Sequence, residues 1–306
     1  MTQYIVRRLL WLVPVLFGVT LVVFGIMKLI PGDAAEAMVG LDGTAEDIEN
    51  MQRVLGLDQP VYVQYGLFVK RMAQLDLGDS NITRRPVTDE IRSRIRPTVE
   101  LALAAFVLAI TVGVFTGVIA ATFRYSIWDT LATLVAIIGV SAPIFWTGLM
   151  LMMVFSVWME VLPATGAGSF KQLIMPAIAL GSASTAIIAR QTRSAMLEVL
   201  GQDYVQTARA KGLKERQVIV RHALRNALIP TVTVAGLQVG YLLGGSVLTE
   251  TVFARPGLGS FLVNSIRSRD IPSVQGTIIF LAMVFVFVSL LVDILYVKLD
   301  PRITYD

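Results

Sequence analysis

Six apolar runs divide this chain, at roughly 9–30, 98–122, 131–157, 173–189, 229–249 and 277–297. Each meets or approaches the ~20 residues an α-helix needs to cross a hydrocarbon core of about 30 Å. The fourth is the weakest, because it holds Pro176, Gly181 and a small polar cluster from Ser182 to Thr185. Such residues are tolerated where a span faces protein rather than lipid. The pattern predicts an all-α membrane protein with about six transmembrane helices.

Polar positions interrupt the fourth and fifth runs from Gly201 to Pro230. Val205, Ala208 and Gly212 share one helical face. Beyond Gly212, Ile219, Val220, Ala223, Leu224, Ala227 and Leu228 form a wider apolar stripe, while Gln217, Arg221 and Arg225 recur every four residues on another face. The spacing predicts a basic, amphipathic helical handle, broken once by Gly212 and stopped by Pro230. A helix lying on anionic lipid accounts for the charge. A compact elbow with small residues at its break fits docking into a partner's groove.

The first run follows Arg7-Arg8 and is longer than the ~7–15 residues of a signal-peptide core, and Pro31-Gly32-Asp33 is no small-residue cleavage site. It reads as an uncleaved first span. After it, Thr44 and Asp47 fit a capping box opening a short helix that Gly56 closes. A second amphipathic piece follows Pro60, and a third, from Val87 to Arg96, leads into Pro97. The expected division is a first helix plus external loop over 1–96, then a five-helix core over 97–306 carrying helices near 203–228.

Composition agrees: 55% of residues are hydrophobic, 16% are charged and the mean hydropathy is +0.69, against about a quarter charged in a soluble domain. With the N-terminus in the cytoplasm, the inner segments hold thirteen Lys and Arg (Arg7, Arg8, Arg124, eight between Arg190 and Arg225, Lys298, Arg302), whereas the short outer loops hold four (Lys171, Arg255, Arg267, Arg269). The positive-inside rule therefore places both termini in the cytoplasm. There is no cysteine and one histidine, His222. The chain also lacks a Gly-x4-Gly-Lys-Ser/Thr phosphate loop, a Ser-His-acid set within the spans and paired intramembrane carboxylates. Asp293 is the one carboxylate well inside a run and reads as locally paired, and Lys28 reads as snorkelling to the interface. No metal site is expected.

Small residues stand out more. Gly236, Gly240 and Gly244 recur every four positions in the fifth run, and Gly113 and Gly117 do so in the second. Such faces let helices approach closely in lipid; a contact within the chain and one with another subunit are both open. Pro143, within Ser141-Ala-Pro-Ile-Phe-Trp146, puts a kink in the third run.

Ala208-Arg-Ala-Lys-Gly-Leu213 followed by Arg221-His-Ala-Leu-Arg-Asn-Ala-Leu-Ile-Pro230 resembles the coupling loop of binding-protein-dependent ABC importer permeases, in the branch that imports dipeptides, oligopeptides and nickel. The wider superfamily pattern opens Glu-Ala-Ala and reaches Gly after three more residues. Here Gln206, Thr207 and Ala208 stand before Gly212, and Pro230 sits five residues beyond the usual proline, a variant the peptide branch resembles. The likeness extends through Leu75-Asp-Leu-Gly-Asp-Ser80, Leu162-Pro163, Glu250-Thr-Val-Phe253, Pro256-Gly-Leu-Gly259, Arg269-Asp270 and Asp300-Pro-Arg302.

The resemblance implies a type I ABC importer permease fold in the inner membrane, working by alternating access. Its partners would be a second, homologous permease, two cytoplasmic ATPase subunits that bind the ATP and Mg, and an external solute-binding protein. It implies no cofactor on this chain and no nucleic acid. Asp203, Tyr204, Gln206, Thr207, Ala208, Arg209, Lys211 and Gly212 would meet the ATPase, braced by Arg221, His222 and Arg225. Gly113, Gly117, Pro143, Gly236, Gly240 and Gly244 would serve packing or the pathway. Phe253, Arg255, Arg269 and Asp270 would face the binding protein. Di- or oligopeptides are the expected cargo, with nickel chelates, glutathione or another small solute as alternatives. An ion-coupled transporter or channel is the rival class, and it would call for ionisable midplane residues.

Overall fold

A computed structural model of the chain describes residues 2–29, 44–56 and 58–299. Among them the regular structure is helical, apart from an isolated antiparallel bridge between Asp79 and Pro86. In chain order the helices are α1 (Thr2–Leu29), α2 (Ala45–Leu55), α3 (Val61–Ala73), α4 (Val87–Thr122), α5 (Ile127–Ser141) and α6 (Ile144–Met152), the last running into a π-helical turn, Met153–Trp158. Then come α7 (Lys171–Leu200), α8 (Asp203–Ala210), a single turn α9 (Glu215–Gln217), a π-helical turn Val218–Ala223, α10 (Leu224–Val252), α11 (Leu258–Arg267) and α12 (Ile271–Leu299).

Over their described residues, all six apolar runs fall on helices. Among the described residues, α4, α7, the stretch Glu215–Val252 and α12 are long and apolar enough to cross a bilayer, α5 with α6 forms a broken fifth, and α1 carries the shorter apolar stretch Leu10–Ile26. The chain divides into two compact units, Met1–Arg96 with Ser260–Phe287, and Pro97–Gly259 with Val288–Asp306.

In the first unit, Thr44 caps α2 through the Asp47 amide, and Asp47 returns a bond from the Thr44 amide at 3.0 Å. These bonds hold the Asp47 carboxyl below its ordinary range. Gly56 closes α2 in the left-handed conformation (φ 68°), as its sequence predicts. On α3, Tyr65 meets Phe17 and Phe24 of α1 edge-on at 5.6 and 5.4 Å, and its hydroxyl shares a 2.9 Å bond with Thr20.

The second unit is built around α7. Ala177, Ala179, Gly181, Ala183, Ala186 and Ala189 are buried around most of its circumference, so the polar-looking fourth run is an interior helix, and α4, α5, α6 and α10 pack on it. Two glycines of α4 set the approach. A Cβ at Gly117 would lie 2.6 Å from the Ala189 carbonyl, and one at Gly113 2.9 Å from the Thr185 carbonyl.

Three expectations change. Val87–Arg96 is not separate: α4 continues through Pro97. The third run, expected to be kinked, is broken into two helices bent by 109° at Ala142-Pro143. Proline drives its predecessor out of the helical region, and Ala142 (ψ 126°) and Pro143 (ψ 140°) are both extended. Pro230 does not stop the handle, because α10 runs through it. Ala223 and Ala227 are packed on Ala195 and Met196 of α7 and Ala121 of α4, and this packing outweighs the one backbone bond a proline removes.

Candidate coupling elbow

The elbow is made by the way α8 ends. Gly212 adopts φ +76°, its amide donates to the Arg209 carbonyl at 2.9 Å, and the Leu213 amide reaches the Ala208 carbonyl at 3.4 Å. This pair of bonds is a Schellman close, which needs a left-handed residue at the Gly212 position. The chain turns there and re-enters a helix at Glu215. Arg209 spans the turn, its Nη2 and Nε meeting the two Glu215 oxygens at 2.7 and 3.2 Å.

Underneath, Val205, Ala208 and Val218 form a buried plug against Val199 and Leu200 at the end of α7. The elbow is therefore fixed to α7 by apolar contact and to α10 by continuous helix. Asn226 adds a polar tie, donating through Nδ2 to the Tyr204 hydroxyl at 2.7 Å and to the His222 carbonyl at 3.3 Å.

The exposed side of this turn carries Asp203, Tyr204, Gln206, Thr207, Lys211 and Gly212, with Arg221 and Arg225 beyond it. Ala208 is buried and offers a partner no surface; it belongs to the plug. The brace expected of Arg221, His222 and Arg225 is made by other groups. Arg221 and Arg225 are exposed and form no ion pair among the described residues, and His222 contributes only its carbonyl. Sequence reading passed over Asn226 and Glu215, although Glu215 at six residues from Arg209 and Asn226 on the α10 face toward Tyr204 were the available signals.

A second constellation closes the other end of α10. The Glu250 carboxylate, fully buried, accepts from the Thr98 hydroxyl at 2.6 Å and the Gly259 amide at 2.7 Å, and Thr98 Oγ1 accepts from the Leu258 amide at 2.9 Å. Arg255, 2% exposed, donates to the Gln172 carbonyl at 3.3 Å. Burial pushes its guanidinium below the ordinary pKa against the pull of Glu250 and Glu100. Phe253 is buried against Met175 and Ala179 of α7. In the first unit, Asp270 is buried as well, taking the Ser80 hydroxyl at 2.6 Å and the Asn81 amide at 3.0 Å.

Of the four residues expected to face a binding protein, three are thus interior: Phe253, Arg255 and Asp270. Their polar or aromatic groups are consumed by the fold, and Arg269 alone of the four is exposed. The glycine stripe on α10 also divides. Gly236 meets Val292 of α12, with Cγ1 2.6 Å from a Cβ built there; Gly240 is half-buried; a Cβ at Gly244 would meet nothing within 4 Å. Gly245 packs instead, on Leu180 and Ile144. Pro143 lies at the α5–α6 corner. The Asp293 side chain and the segments Pro31–Asp33 and Asp300–Arg302 lie outside the described residues.

Comparison with known proteins identifies the family of the chain. The family of binding-protein-dependent transport system inner membrane components matches residues 113–305, and its N-terminal counterpart matches residues 1–102. The chain belongs to this family. It is 44% identical over 305 residues, the whole of both chains, to the glutathione transport system permease proteins GsiC of Escherichia coli (strain K12) and Shigella dysenteriae serotype 1 (strain Sd197). A solved amino acid ABC transporter with histidines shares the fold, at TM-score 0.50 and 15% identity over 71% of this chain and 95% of that one.

This permease is therefore a multi-pass inner-membrane transport subunit of an ABC importer, in the dipeptide, oligopeptide and nickel branch. Importers of this kind work with ATPase subunits and a solute-binding protein. The ion-coupled transporter and channel readings fall away.

Proposed function

We propose that this permease carries di- or oligopeptides, glutathione among them, across the cytoplasmic membrane by alternating access, and that the α8 elbow receives the push of a partner ATPase. The observation that carries the mechanical part is the plug of Val205, Ala208 and Val218. It makes the elbow one body with the end of α7, so a displacement of the exposed ridge is delivered into two spans at once. Tyr204, Gln206, Thr207, Lys211 and Gly212 form the contact surface in this reading, with Arg209 holding the turn and ATP and Mg bound on the partner.

The cargo reading is supported by relatives named for glutathione, itself a tripeptide, at 44% identity over the full length. Both termini lie in the cytoplasm on the charge count, residues 1–96 form an appendage to the 97–306 core, and a second, homologous permease completes the pathway. Arg269 contacts the binding protein.

Purified with its genomic neighbours in nanodiscs, the complex should hydrolyse ATP faster when glutathione or dipeptides are added with the binding protein. Arg209→Glu and Gly212→Pro should abolish uptake at unchanged membrane level. Normal uptake by both variants would sink the elbow assignment, and hydrolysis indifferent to every peptide would sink the cargo assignment.

A further inference from the structure

The spans differ in what they leave uncovered. Leu103, Val107 and Phe115 on α4, and Val135 and Ile138 on α5, are exposed, as befits lipid-facing helices. Among the described residues α7 exposes no large hydrophobic side chain. What it exposes toward its second half is Arg190, Ser194 and Glu198. At four-residue spacing these fall in a sector about 80° wide and about 12 Å long.

Arg190 is not at the end of the helix. It stands ten residues before Leu200, about 15 Å along the axis. Its neighbour Ala189 packs against Gly117 of α4, five residues inside the end of that helix at Thr122. Arg190 makes no hydrogen bond or ion pair among the described residues, whereas Arg193, one turn on, is engaged by Asp129 of α5. On the other side of the sector Ser184 donates to Gln238 of α10 at 3.1 Å. The polar strip is thus the open face of α7 between α5 and α10.

Arg190 directly follows the fourth apolar run, about 8 Å inside the last residue of α4, so its unpaired guanidinium stands at the inner end of the span, where a charge faces water or a partner rather than lipid tails. We propose that this face of α7 lines the aqueous translocation pathway and that Arg190 receives a carboxylate of the passing solute. The second half rests on the peptide reading above, since a free peptide presents a carboxylate that an Arg fork grips in two bonds. Ser194 continues the polar track, and Glu198 marks its mouth with the opposite charge, so a carboxylate held at Arg190 is repelled once it moves toward the elbow end.

The chain has no cysteine, so single substitutions label cleanly. In the assembled transporter in nanodiscs, Ser194→Cys and Glu198→Cys should react with membrane-impermeant methanethiosulfonates, while Val107→Cys stays unlabelled. Absence of labelling at both 194 and 198 overturns the aqueous face. At Ser194→Cys, adding Arg190→Gln should cut the preference for an anionic over a cationic reagent about tenfold, since one charge about 6 Å away in water acts about threefold on each reagent in opposite senses; an unchanged preference removes Arg190 from the pathway.

Arg190→Gln alone should raise the KM for glutathione uptake severalfold at unchanged membrane level, with partial recovery in Arg190→Lys. An unchanged KM on a labelled face overturns the carboxylate contact. A wild-type transporter that moves neither glutathione nor dipeptides overturns the peptide reading and the carboxylate contact with it, while labelling still decides the face and reagent preference the cation.

Discussion

Asn226 donates to the Tyr204 hydroxyl at 2.7 Å, joining the first turn of α8 to the start of α10 across the elbow. Both side chains are exposed, so the bond contributes little to global stability, about 0.5–1.5 kcal/mol at most. Its consequence is angular: it fixes α8 against the helix that continues into the membrane. Tyr204→Phe and Asn226→Ala should each leave thermal unfolding within a few degrees of wild type but lower the solute moved per ATP hydrolysed in proteoliposomes. The double variant should be no worse than the singles, because both remove one bond. Additive losses would mean the two side chains act separately.

The turn itself rests on Gly212. A Cβ there would meet nothing within 4 Å, so crowding is not the constraint. The constraint is φ +76°, which costs an L-residue about 1–2 kcal/mol. Gly212→Ala should destabilise by that amount, and Gly212→Asn by less, because Asn tolerates the left-handed region. Thermal shift on the purified complex measures both. A larger loss for Asn than for Ala would place the effect in a contact rather than in the backbone.

What the sequence made legible follows periodicity and local chemistry. The six runs, the Thr44 cap, the Gly56 stop and the break at Gly212 each depend on residues within a few positions of one another. The corner at Pro143 was visible as a proline but not as 109°, since its angle depends on Ala142 extending too. Pro230 read as a stop because a local rule cannot weigh the Ala227 packing that overrides it. Arg255 and Asp270 read as outward-facing charges in a loop. Their burial depends on partners such as Gly166, Gln172 and Ser80, 83 to 190 residues away in sequence, and a single sequence carries no mark of that pairing.

Glu250 should be among the least replaceable side chains in the molecule. Its carboxylate takes Thr98 and the Gly259 amide while lying beside Arg255, and a Cβ at Gly257 would stand 2.3 Å from it. Glu250→Ala strands a buried guanidinium and a buried amide, a loss of about 3–5 kcal/mol. It should appear as poor membrane accumulation before any transport defect can be read. Gly257→Ala should mimic it in part by pushing the carboxylate aside. Pairing Glu250→Gln with Arg255→Met should recover accumulation over Glu250→Ala, since no buried charge is then uncompensated. Wild-type accumulation of Glu250→Ala would mean that water reaches the site.

The pair of Asp129 on α5 and Arg193 on α7 makes a sharper stability test, because its geometry is asymmetric. Arg193 donates through Nε and Nη2 at 2.7 and 2.8 Å, so both carboxylate oxygens are used, and Asp129 also accepts from the Tyr125 amide at 3.1 Å. Asp129 is nearly buried and Arg193 about 30% exposed, so removing the base strands a buried carboxylate, whereas removing the acid leaves a guanidinium that water reaches. Arg193→Ala should cost about 1–3 kcal/mol and exceed Asp129→Ala. Arg193→Lys should recover only part, since an ammonium cannot make both fork bonds. Exchanging the two charges, Asp129→Arg with Arg193→Asp, should not restore stability, because an arginine at 129 cannot accept from the Tyr125 amide. Thermal unfolding of the purified transporter orders the four variants, and full rescue by the exchange would show that the charge pair matters and the amide contact does not.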